Sequence, residues 1–314
     1  MREYINMDII KSIRDVNNLS ESVVTIGKFD GLHKGHNSLI EKAVDSSRKM
    51  HIKSVVFTFK NHPANYFKNH SVKNIIYDKY KMKKLESLGV DMVINIPFDE
   101  DMTKISAHDF AKKILKEKLG AKKVIIGYDF TFARNKEGDA SLLKALGYKY
   151  GFNVEIVNPI KINNIRVSST YIRTLLSEGS VKLVKEYLGH NYFLEGEVIK
   201  CKQLGRTIGF PTANIKIDKE MLIPKGGIYA TKVYVDKNIY FGATNIGYNP
   251  TVNGKDLSIE TNILNFNKDI YGKNIKLEFL ERIRDEKKFN SLDELKSQLQ
   301  KDTSYIYKKY ICKK

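Results

Sequence analysis

The sequence has few cysteines and no long apolar run, and each absence excludes a class of protein. It also has no internal repeat. Cys201 and Cys312 stand far apart in 314 residues and form no motif, which argues against disulfide and zinc frameworks. No run of about 18 uncharged apolar residues is present to span a membrane, and the polar N-terminal segment is unlike a signal peptide. We therefore expect a cytoplasmic protein with no membrane partner.

Acidic residues are also scarce relative to basic ones. The chain has 54 Lys and Arg against 36 Asp and Glu, a net charge of +18. The excess is spread over both halves, and its densest clusters, 79–84 and 112–123, alternate with apolar residues as solvated helix faces do. We expect no nucleic-acid partner, although 18 Tyr and 15 Phe leave an RNA-binding or non-catalytic flavin-binding protein as a remote alternative. The basic excess favours an anionic substrate.

The length predicts two domains, and the first has a mixed pattern. Short apolar, β-branched runs predict buried strands, and apolar residues three and four apart between them predict helices. This alternation indicates an α/β domain whose parallel sheet is covered on both faces, with a ligand crevice beyond the carboxyl ends of the strands. The predicted strands are 23–26, 54–59, 92–96, 124–126 and 154–157, and the predicted helices are 38–50, 77–88, 107–119 and 141–150.

After Tyr187 short strands separated by Gly, Asn and Pro replace the helical period. They predict an antiparallel barrel or sandwich, so we place the domain boundary between 187 and 188. Ser291 and Glu294 have the spacing of a capping box and precede an apolar stripe, which predicts a terminal helix. The predicted strands are 193–200, 227–235, 238–244, 257–264 and 274–282.

A glycine-rich turn lies between the first strand and the first helix. Gly27, Gly31 and Gly35 would let the backbone approach phosphate closely, and His33 and His36 stand where that phosphate would lie. The two histidines have too few companions for a metal site. A loop with two solvated histidines is the alternative.

A second polar segment, residues 166–173, follows the last strand of the first domain. Ser168 and Ser169 are suited to capping a helix, which is a purely structural role. With Thr170 and the flanking Arg166 and Arg173, the same segment could instead hold phosphates. Both interpretations stay open on the residues alone.

Residues 204–214 of the second domain form another glycine-containing segment, which lacks the Lys-Ser/Thr ending of a P-loop. Thr212 and Asn214 carry neutral oxygens that magnesium tolerates when phosphate oxygens and waters complete its shell. Glu260 is a lone carboxylate on a predicted strand. By itself it is either a base or an ordinary surface residue.

Together these segments resemble the bacterial family of bifunctional riboflavin kinases and FMN adenylyltransferases, also called FAD synthetases. The two-histidine motif alone is shared by many nucleotidyltransferases, whereas all the motifs in this order are highly specific. The matching segments are 27–36, 57–59, 62–63, 127–130 with Phe132, 168–170, 172–173, 205–206, 209–214, 227–230, 245–247, 249–251, Glu260, 269–272, Phe279 and Arg284.

The resemblance implies a Rossmann-like nucleotidylyltransferase domain over 1–187 and a riboflavin kinase barrel with a terminal helix over 188–314. In the barrel, riboflavin and ATP would give FMN and ADP, with Glu260 as general base and Thr212 and Asn214 holding Mg²⁺. In the first domain, FMN and a second ATP would give FAD and pyrophosphate. There His33, His36 and Arg173 would stabilise the charge of the reacting phosphates.

The resemblance also implies a set of binding residues and leaves one nearer alternative. That alternative is a nucleotidyltransferase of different specificity whose barrel merely binds a ligand. We expect a monomer or a weak homo-oligomer. The implied contacts to substrate or nucleotide come from Gly27, Phe29, Asp30, Gly31, Asp129, Ser168, Ser169, Thr170, Gly205, Arg206, Gly209, Pro211, Asn245 and Arg284.

Three residues depart from the family pattern. Ala133 stands where glycine is usual, which would stiffen the loop if its backbone needs a positive φ. Cys201 also replaces a common glycine, ahead of the kinase loop. Asn262 stands where His or an aromatic residue is frequent, and this departure bears on flavin or nucleotide affinity.

Overall fold

The computed structural model describes residues 7–66, 72–201, 209–251 and 254–312. The chain forms two compact units, Met1–Ser169 and Thr170–Lys314, which we describe one at a time. The domain boundary between 187 and 188 stays a prediction. The compact units divide earlier, so that the helix Ser169–Glu178, apart from Ser169, and the helix Val181–Leu188 fall in the second unit.

The first unit is built on a six-stranded parallel sheet in the order β1-β4-β3-β2-β5-β8, with two small hairpins, β6 with β7 and β9 with β10. The strands are β1 Asp8–Ile10, β2 Ser22–Ile26, β3 Lys53–Phe59, β4 Met92–Ile96, β5 Ala121–Gly127, β6 Thr131–Phe132, β7 Gly138–Asp139, β8 Asn153–Val157, β9 Lys161–Ile162 and β10 Ile165–Arg166.

Helices cover both faces of this sheet, because successive strand side chains point to opposite sides. Val55 and Phe57 of β3 enter one apolar cluster, and Val56 between them enters the other. The helices are α1 Lys34–Met50, α2 Pro63–Tyr66, α3 Asp78–Ser87, α4 Glu100–Lys104, α5 Ala107–Asp109, which continues as the π-helix Phe110–Lys118, and α6 Ala140–Tyr150. Single 3₁₀ turns lie at Ile13–Asp15 and Arg134–Lys136.

The parallel α/β architecture predicted from the sequence is confirmed. All five predicted strands and all four predicted helical segments are present, with ends that differ by a few residues. The prediction missed the edge strand β1, which is three residues long and largely exposed. An exposed strand of that length carries no apolar run to reveal it.

The second unit contains a closed six-stranded antiparallel barrel in the order β11-β12-β15-β14-β13-β16. This confirms the barrel and excludes the sandwich. Its elements are α7 Ser169–Glu178, α8 Val181–Leu188, β11 Phe193–Ile199, β12 Ala213–Ile217, β13 Gly227–Val235, β14 Asn238–Thr251, β15 Gly254–Ile263, β16 Asn274–Arg284, α9 Leu292–Ile306 and the π-helix Tyr307–Ile311.

The barrel interior is filled by alternate residues of each strand. A chain of buried hydroxyls crosses three strands, with Thr231 Oγ1 and Thr244 Oγ1 2.8 Å apart and Thr244 Oγ1 donating to Thr261 Oγ1 at 2.9 Å. Because neighbours along a strand point to opposite faces, Asn245 and Glu260 lie on the outer wall. Strand β12, which the prediction missed, supplies inward Ala213 and Ile215.

The predicted terminal helix is confirmed as α9, and its first turn carries the expected cap. Ser291 Oγ accepts a hydrogen bond from the backbone N–H of Glu294, and Glu294 Oε2 accepts one from the N–H of Asn290. The helix packs on the outer wall of the barrel, where Ile306 joins Ala230 and Ala243 in one apolar cluster.

Candidate active sites

The first candidate site lies where the order of the parallel sheet reverses. The chain runs from β2 outward through β3 and β4, then returns to place β5 on the other side of β2. In open α/β sheets this switch point is where loops diverge and ligands bind. The loops that follow β2 and β5 therefore flank one crevice.

The loop from β2 to α1 has an unusual backbone. Phe29, Gly31 and Leu32 have φ values of 52°, 82° and 43°, in the left-handed region that glycine favours. Phe29 and Leu32 are almost fully buried in the apolar cluster on the α1 face of the sheet. Burial of these two side chains offsets the backbone cost and holds the loop in a shape suited to a ligand.

His33 and His36 lie together at the N-terminus of α1. Their rings are stacked, with centroids 3.5 Å apart and planes 14° from parallel, and His33 is only 5% exposed. His33 caps the helix, since its Nδ1 accepts a hydrogen bond from the N–H of His36 at 3.2 Å. An accepting Nδ1 carries no proton, so the proton of neutral His33 is on Nε2, which is a hydrogen-bond donor.

The rings of His36 and Phe29 form a T-shaped pair, with centroids 5.3 Å apart at an interplanar angle of 81°. The two imidazoles therefore have fixed orientations before any ligand arrives. The helix N-terminus beneath them adds partial positive charge. Two oriented imidazole rings at such a terminus, with the Nε2–H of His33 as a donor, are suited to stabilising phosphate oxygens.

Asp30 occupies the same loop but its carboxylate points into the structure. Asp30 Oδ1 accepts hydrogen bonds from the N–H groups of Ile75 and Ile76, at 2.9 and 3.4 Å, and the side chain is buried. Lys28 Nζ lies 4.0 Å from Asp30 Oδ2. These contacts tie the loop to the segment before α3, and a direct contact of Asp30 with nucleotide stays a prediction.

The loop after β5 carries Tyr128 and Asp129. Arg166 Nη2 contacts Asp129 Oδ2 at 2.5 Å, Arg166 Nη1 donates to the Tyr128 hydroxyl, and the guanidinium lies over the Tyr128 ring with Cζ 4.7 Å from the centroid. Arg166 ends the hairpin of β9 and β10, two residues ahead of Ser168. The loop after β5 and the hairpin of β9 and β10 are therefore joined beside the end of β5.

Ser169 begins α7 and touches the histidine loop, since its Oγ donates to the backbone oxygen of Asp30 at 3.0 Å. This bond shows a structural use of Ser169 and places it beside the crevice. Thr170 and Arg173 lie further along the same helix, in the second compact unit. Contacts of Ser168, Thr170 and Arg173 with phosphate stay predictions.

The second candidate site lies on the outer wall of the barrel. Direct cross-strand neighbours form a row over five strands, from Asn214 through Glu260, Asn245 and Ile228 to Arg284. Residues directly opposite each other in antiparallel strands share a face, so this row presents its side chains together. Asn214, proposed for the metal, is thus adjacent to Glu260, proposed as the base.

A cleft of about 850 Å³, counting space open to solvent, lies between this wall and α9. Ser258 Oγ donates to Glu260 Oε1 at 2.7 Å, and the buried Oδ1 of Asn245 has no hydrogen-bond partner within the described part of the chain. An acceptor in that position is available to a substrate donor. The cleft is lined by Phe210, Thr212, Ile228, Ala243, Asn245, Glu260, Asn262, Arg284, Glu286, Lys287, Phe289, Leu295, Leu299 and Asp302.

Two lining contacts hold the cleft in shape. The carboxylate of Asp302, on α9, accepts hydrogen bonds from Arg284. Nε lies 3.1 Å from both carboxylate oxygens and Nη2 lies 2.6 Å from Oδ2, and Asp302 is only 4% exposed. Asn262 Nδ2 donates to the backbone oxygen of Pro211 at 2.8 Å. The residue that departs from the family pattern thus fastens the segment bearing Thr212 to the neighbouring strand.

Thr212 and Asn214 are suited to a hard cation whose other ligands would be phosphate oxygens and waters. Their oxygens are neutral, and no group of three or more His, Cys, Asp or Glu that could hold a metal occurs among residues 7–66, 72–201, 209–251 and 254–312. Gly209 has a φ of 84° with open space around it. Gly205 and Arg206 lie outside the described residues.

Family comparisons agree with this division into two sites. The model of FAD synthetase matches residues 15–171, and the model of riboflavin kinase matches residues 188–310. The bifunctional riboflavin kinase/FMN adenylyltransferase of Buchnera aphidicola subsp. Acyrthosiphon pisum is 37% identical over 307 residues, which cover 96% of this chain and 98% of that protein. This chain belongs to the bifunctional riboflavin kinase/FMN adenylyltransferase family.

Other members of the family are similar over the same extent. The Escherichia coli (strain K12) protein of that name is 34% identical and covers 93% of this chain and 96% of its own length. A crystal structure described as a macrolide-efflux protein from Streptococcus pneumoniae has a TM-score of 0.86 and 32% identity, over 96% of this chain and 98% of that chain.

In the described residues, no helix is both long and apolar enough to cross a membrane.

The FAD synthetase region contains the histidine crevice, and the riboflavin kinase region contains the Glu260 cleft. The chain is therefore a transferase with both activities, and ATP is a substrate of each. Membership of this family sets aside the two alternatives, a nucleotidyltransferase of other specificity and a non-catalytic flavin-binding or RNA-binding protein.

Sequence reasoning missed several residues of the two sites. Ser258 lies on the same face of β15 as Glu260, because side chains two residues apart in a strand point the same way. The sequence pattern assigns Arg166 to phosphate binding and gives Tyr128 no role, whereas the structure joins the two in one contact. Asp302 could not be found, because only the packing of α9 on the barrel brings it to Arg284.

Proposed function

We propose that Glu260 is the general base of the riboflavin kinase reaction. Its carboxylate would take the proton of the ribityl hydroxyl as that oxygen bonds to the γ-phosphorus of ATP, and the bond from that phosphorus to ADP breaks. Ser258 orients the carboxylate by donating to Oε1. The observation that carries the assignment is the direct opposition of Glu260 and Asn214 across β12 and β15.

Mg²⁺ belongs to the same proposal. Thr212 and Asn214 would hold the ion, which would neutralise charge on the nucleotide phosphates when bound. Arg284, held by Asp302, would place its positive charge at the lining of the cleft, and Asn245 Oδ1 would accept a hydrogen bond from substrate. These residues position the reactants, which is most of what phosphoryl transfer requires.

For the adenylyltransferase reaction we infer that no general base is needed. The FMN phosphate is already ionised, so its oxygen can bond to the α-phosphorus of ATP while the bond to pyrophosphate breaks. Nε2–H of His33 and the His36 ring would stabilise charge on the α-phosphate and on the departing pyrophosphate, assisted by the N-terminus of α1. Ser168, Ser169, Thr170 and Arg173 would contribute further donors.

The two active sites can be tested in one chain. Glu260→Gln is expected to lower FMN formation from riboflavin by a factor of about 10² to 10⁴, since it removes a base, while FAD formation from supplied FMN persists. His36→Ala is expected to lower FAD formation by about 10² to 10³ and leave FMN formation intact. Product chromatography with riboflavin or FMN plus Mg-ATP measures both.

Each variant serves as the folding control of the other, because each retains one activity. Equal loss of both activities in either variant would contradict the division of labour. Normal FAD synthesis by His36→Ala would remove that histidine from the mechanism.

A cytoplasmic location, a monomeric or weakly oligomeric state and the absence of a nucleic-acid partner stay predictions.

A further inference from the structure

Tyr128 is a large aromatic side chain left exposed beside the histidine crevice. It follows β5 directly, at the sheet edge where the loops after β2 and β5 leave the sheet, and 43% of its surface is accessible. Its backbone N–H donates to the oxygen of Val157 at 3.2 Å, so the main chain is fixed to the end of β8. An exposed aromatic ring on a fixed backbone beside a ligand crevice indicates a binding surface.

The Tyr128 ring is also held from one side. The Arg166 guanidinium lies over it at 4.7 Å, donates to its hydroxyl and pairs with Asp129 at 2.5 Å. These three contacts restrict both torsions of the tyrosine. A guanidinium over an aromatic face is stabilised by the negative charge of that face, and here it leaves much of the ring accessible.

We propose that the Tyr128 ring, backed by Arg166, is a stacking platform for a planar heteroaromatic ring of the adenylyltransferase substrates. Both substrates carry such a ring, the adenine of ATP and the isoalloxazine of FMN. A pre-oriented ring loses little conformational entropy when a ligand stacks on it. The Asp129 carboxylate beside the ring can accept a hydrogen bond from the N–H groups that both heterocycles carry.

Within this proposal Arg166 is a positioning residue. It holds the ring and the carboxylate together and need not touch the substrate. The proposal rests on the adenylyltransferase mechanism proposed above, and it adds a subsite that recognises the flat part of a substrate, whereas the histidines act on phosphate.

The first test uses steady-state kinetics of FAD formation from FMN and Mg-ATP. Tyr128→Ala is expected to raise KM for one of the two substrates about tenfold, since stacking contributes roughly one factor of ten or more to binding. The value of kcat should change less than threefold. Tyr128→Phe keeps the ring and should retain the wild-type KM. Whether KM for ATP or for FMN rises identifies the ring that stacks.

Tyr148 provides the matched control, because it is a tyrosine of the same unit that is 94% exposed. Tyr148→Ala is expected to leave both KM values unchanged. Arg166→Gln should raise KM for the same substrate as Tyr128→Ala, and the double variant should be no worse than Tyr128→Ala alone. KM values of Tyr128→Ala within twofold of wild type for both substrates would overturn the proposal.

The second test needs no turnover. The sequence contains no tryptophan, so Tyr128→Trp creates a unique fluorophore that preserves a stacking ring. Titration with ATP and with FMN should quench its emission saturably, and more strongly than that of Tyr148→Trp. Equal quenching in the two variants would overturn the platform. Wild-type protein that makes no FAD would instead refute the proposed adenylyltransferase function, and the titration would still decide the subsite.

Discussion

At the scale of single residues, Ala133 shows where this chain tolerates strain. Its φ of 65° and ψ of −176° lie in a region used almost only by glycine. The family usually has glycine at this position. The backbone at Ala133 does have a positive φ, so alanine stiffens and strains this loop. The neighbouring Phe132 is buried in the core, which holds the strained conformation in place.

Ala133→Gly is therefore expected to stabilise the first unit. Relief of strain is worth about 1–3 kcal/mol, and the extra freedom of glycine in the unfolded chain takes back about 0.4–1 kcal/mol. A net gain of about 1 kcal/mol should appear in the free energy of unfolding measured with urea.

The control for this prediction is Ala145→Gly. Ala145 is exposed within α6, where the backbone is helical. The same chemical change there should cost about 0.5–1 kcal/mol. If both variants were destabilised to the same degree, strain at Ala133 would be refuted.

At the scale of elements, the terminal segment is fastened to the barrel by one buried carboxylate. Glu281 of β16 accepts hydrogen bonds from Tyr305 and Tyr310 at 3.0 and 2.9 Å, and its oxygens lie 2.7 Å from Lys309 Nζ and 2.9 Å from Lys182 Nζ. Burial raises the pKa of Glu281, but these four donors outweigh burial and bring the pKa down to about 2.

This arrangement predicts acid sensitivity of the riboflavin kinase region. A carboxyl group with a lowered folded-state pKa contributes stability above its unfolded pKa of about 4.3, and that stability is lost as the pH falls toward 2. The fall attributable to Glu281 should be about 3 kcal/mol in the free energy of unfolding between pH 6 and pH 2. Urea titrations at several pH values would measure it.

Glu281→Gln should lower stability at pH 7 and flatten the dependence on pH. Glu294→Gln is the comparison, because Glu294 has a pKa lowered by hydrogen bonds from Lys287 and the Asn290 backbone but is solvated. Its effect should be much smaller. An unchanged slope in Glu281→Gln would show that another group dominates acid unfolding.

At the scale of the whole molecule, the last two helices before the barrel belong with it. The backbone N–H of Lys225 donates to the oxygen of Leu176 in α7 at 2.9 Å, and Lys182 of α8 pairs with Glu281. A Cβ at Gly179, between these helices, would lie 2.4 Å from Arg282 Cδ. This close approach and a φ of 80° both favour glycine at this position.

Excised residues 170–314 are therefore expected to fold and to phosphorylate riboflavin at close to the rate of the full chain. Residues 188–314, cut at the predicted domain boundary, should be less stable by at least about 3 kcal/mol. This fragment exposes apolar barrel surface and leaves Glu281 without Lys182. Thermal unfolding of the two fragments, with kinase assays at 15 °C and 37 °C, would compare them. Equal stability would place the boundary at 188 after all.

The fold was largely predictable because its signals are local. The buried strand at Val23 and Val24 and the helix from Lys34 follow from apolar period and composition, and the closed barrel follows from five of its six strands. Strand β12 was missed because its glycine-containing approach was interpreted as loop. Strand β1 was missed because pairing with β4, rather than an apolar run, forms it.

The amino-acid order sets which chemical groups this protein has and how they are spaced along the chain. Glycines, histidines and hydroxyls near strand ends predicted phosphate chemistry, since parallel strands bring their ends to one edge. Which groups meet depends on the folded chain, which brings together Arg166 with Tyr128, Asp302 with Arg284 and Asn262 with Pro211. Those pairs are distant in sequence, and their contact depends on side-chain packing between elements, which no local period encodes.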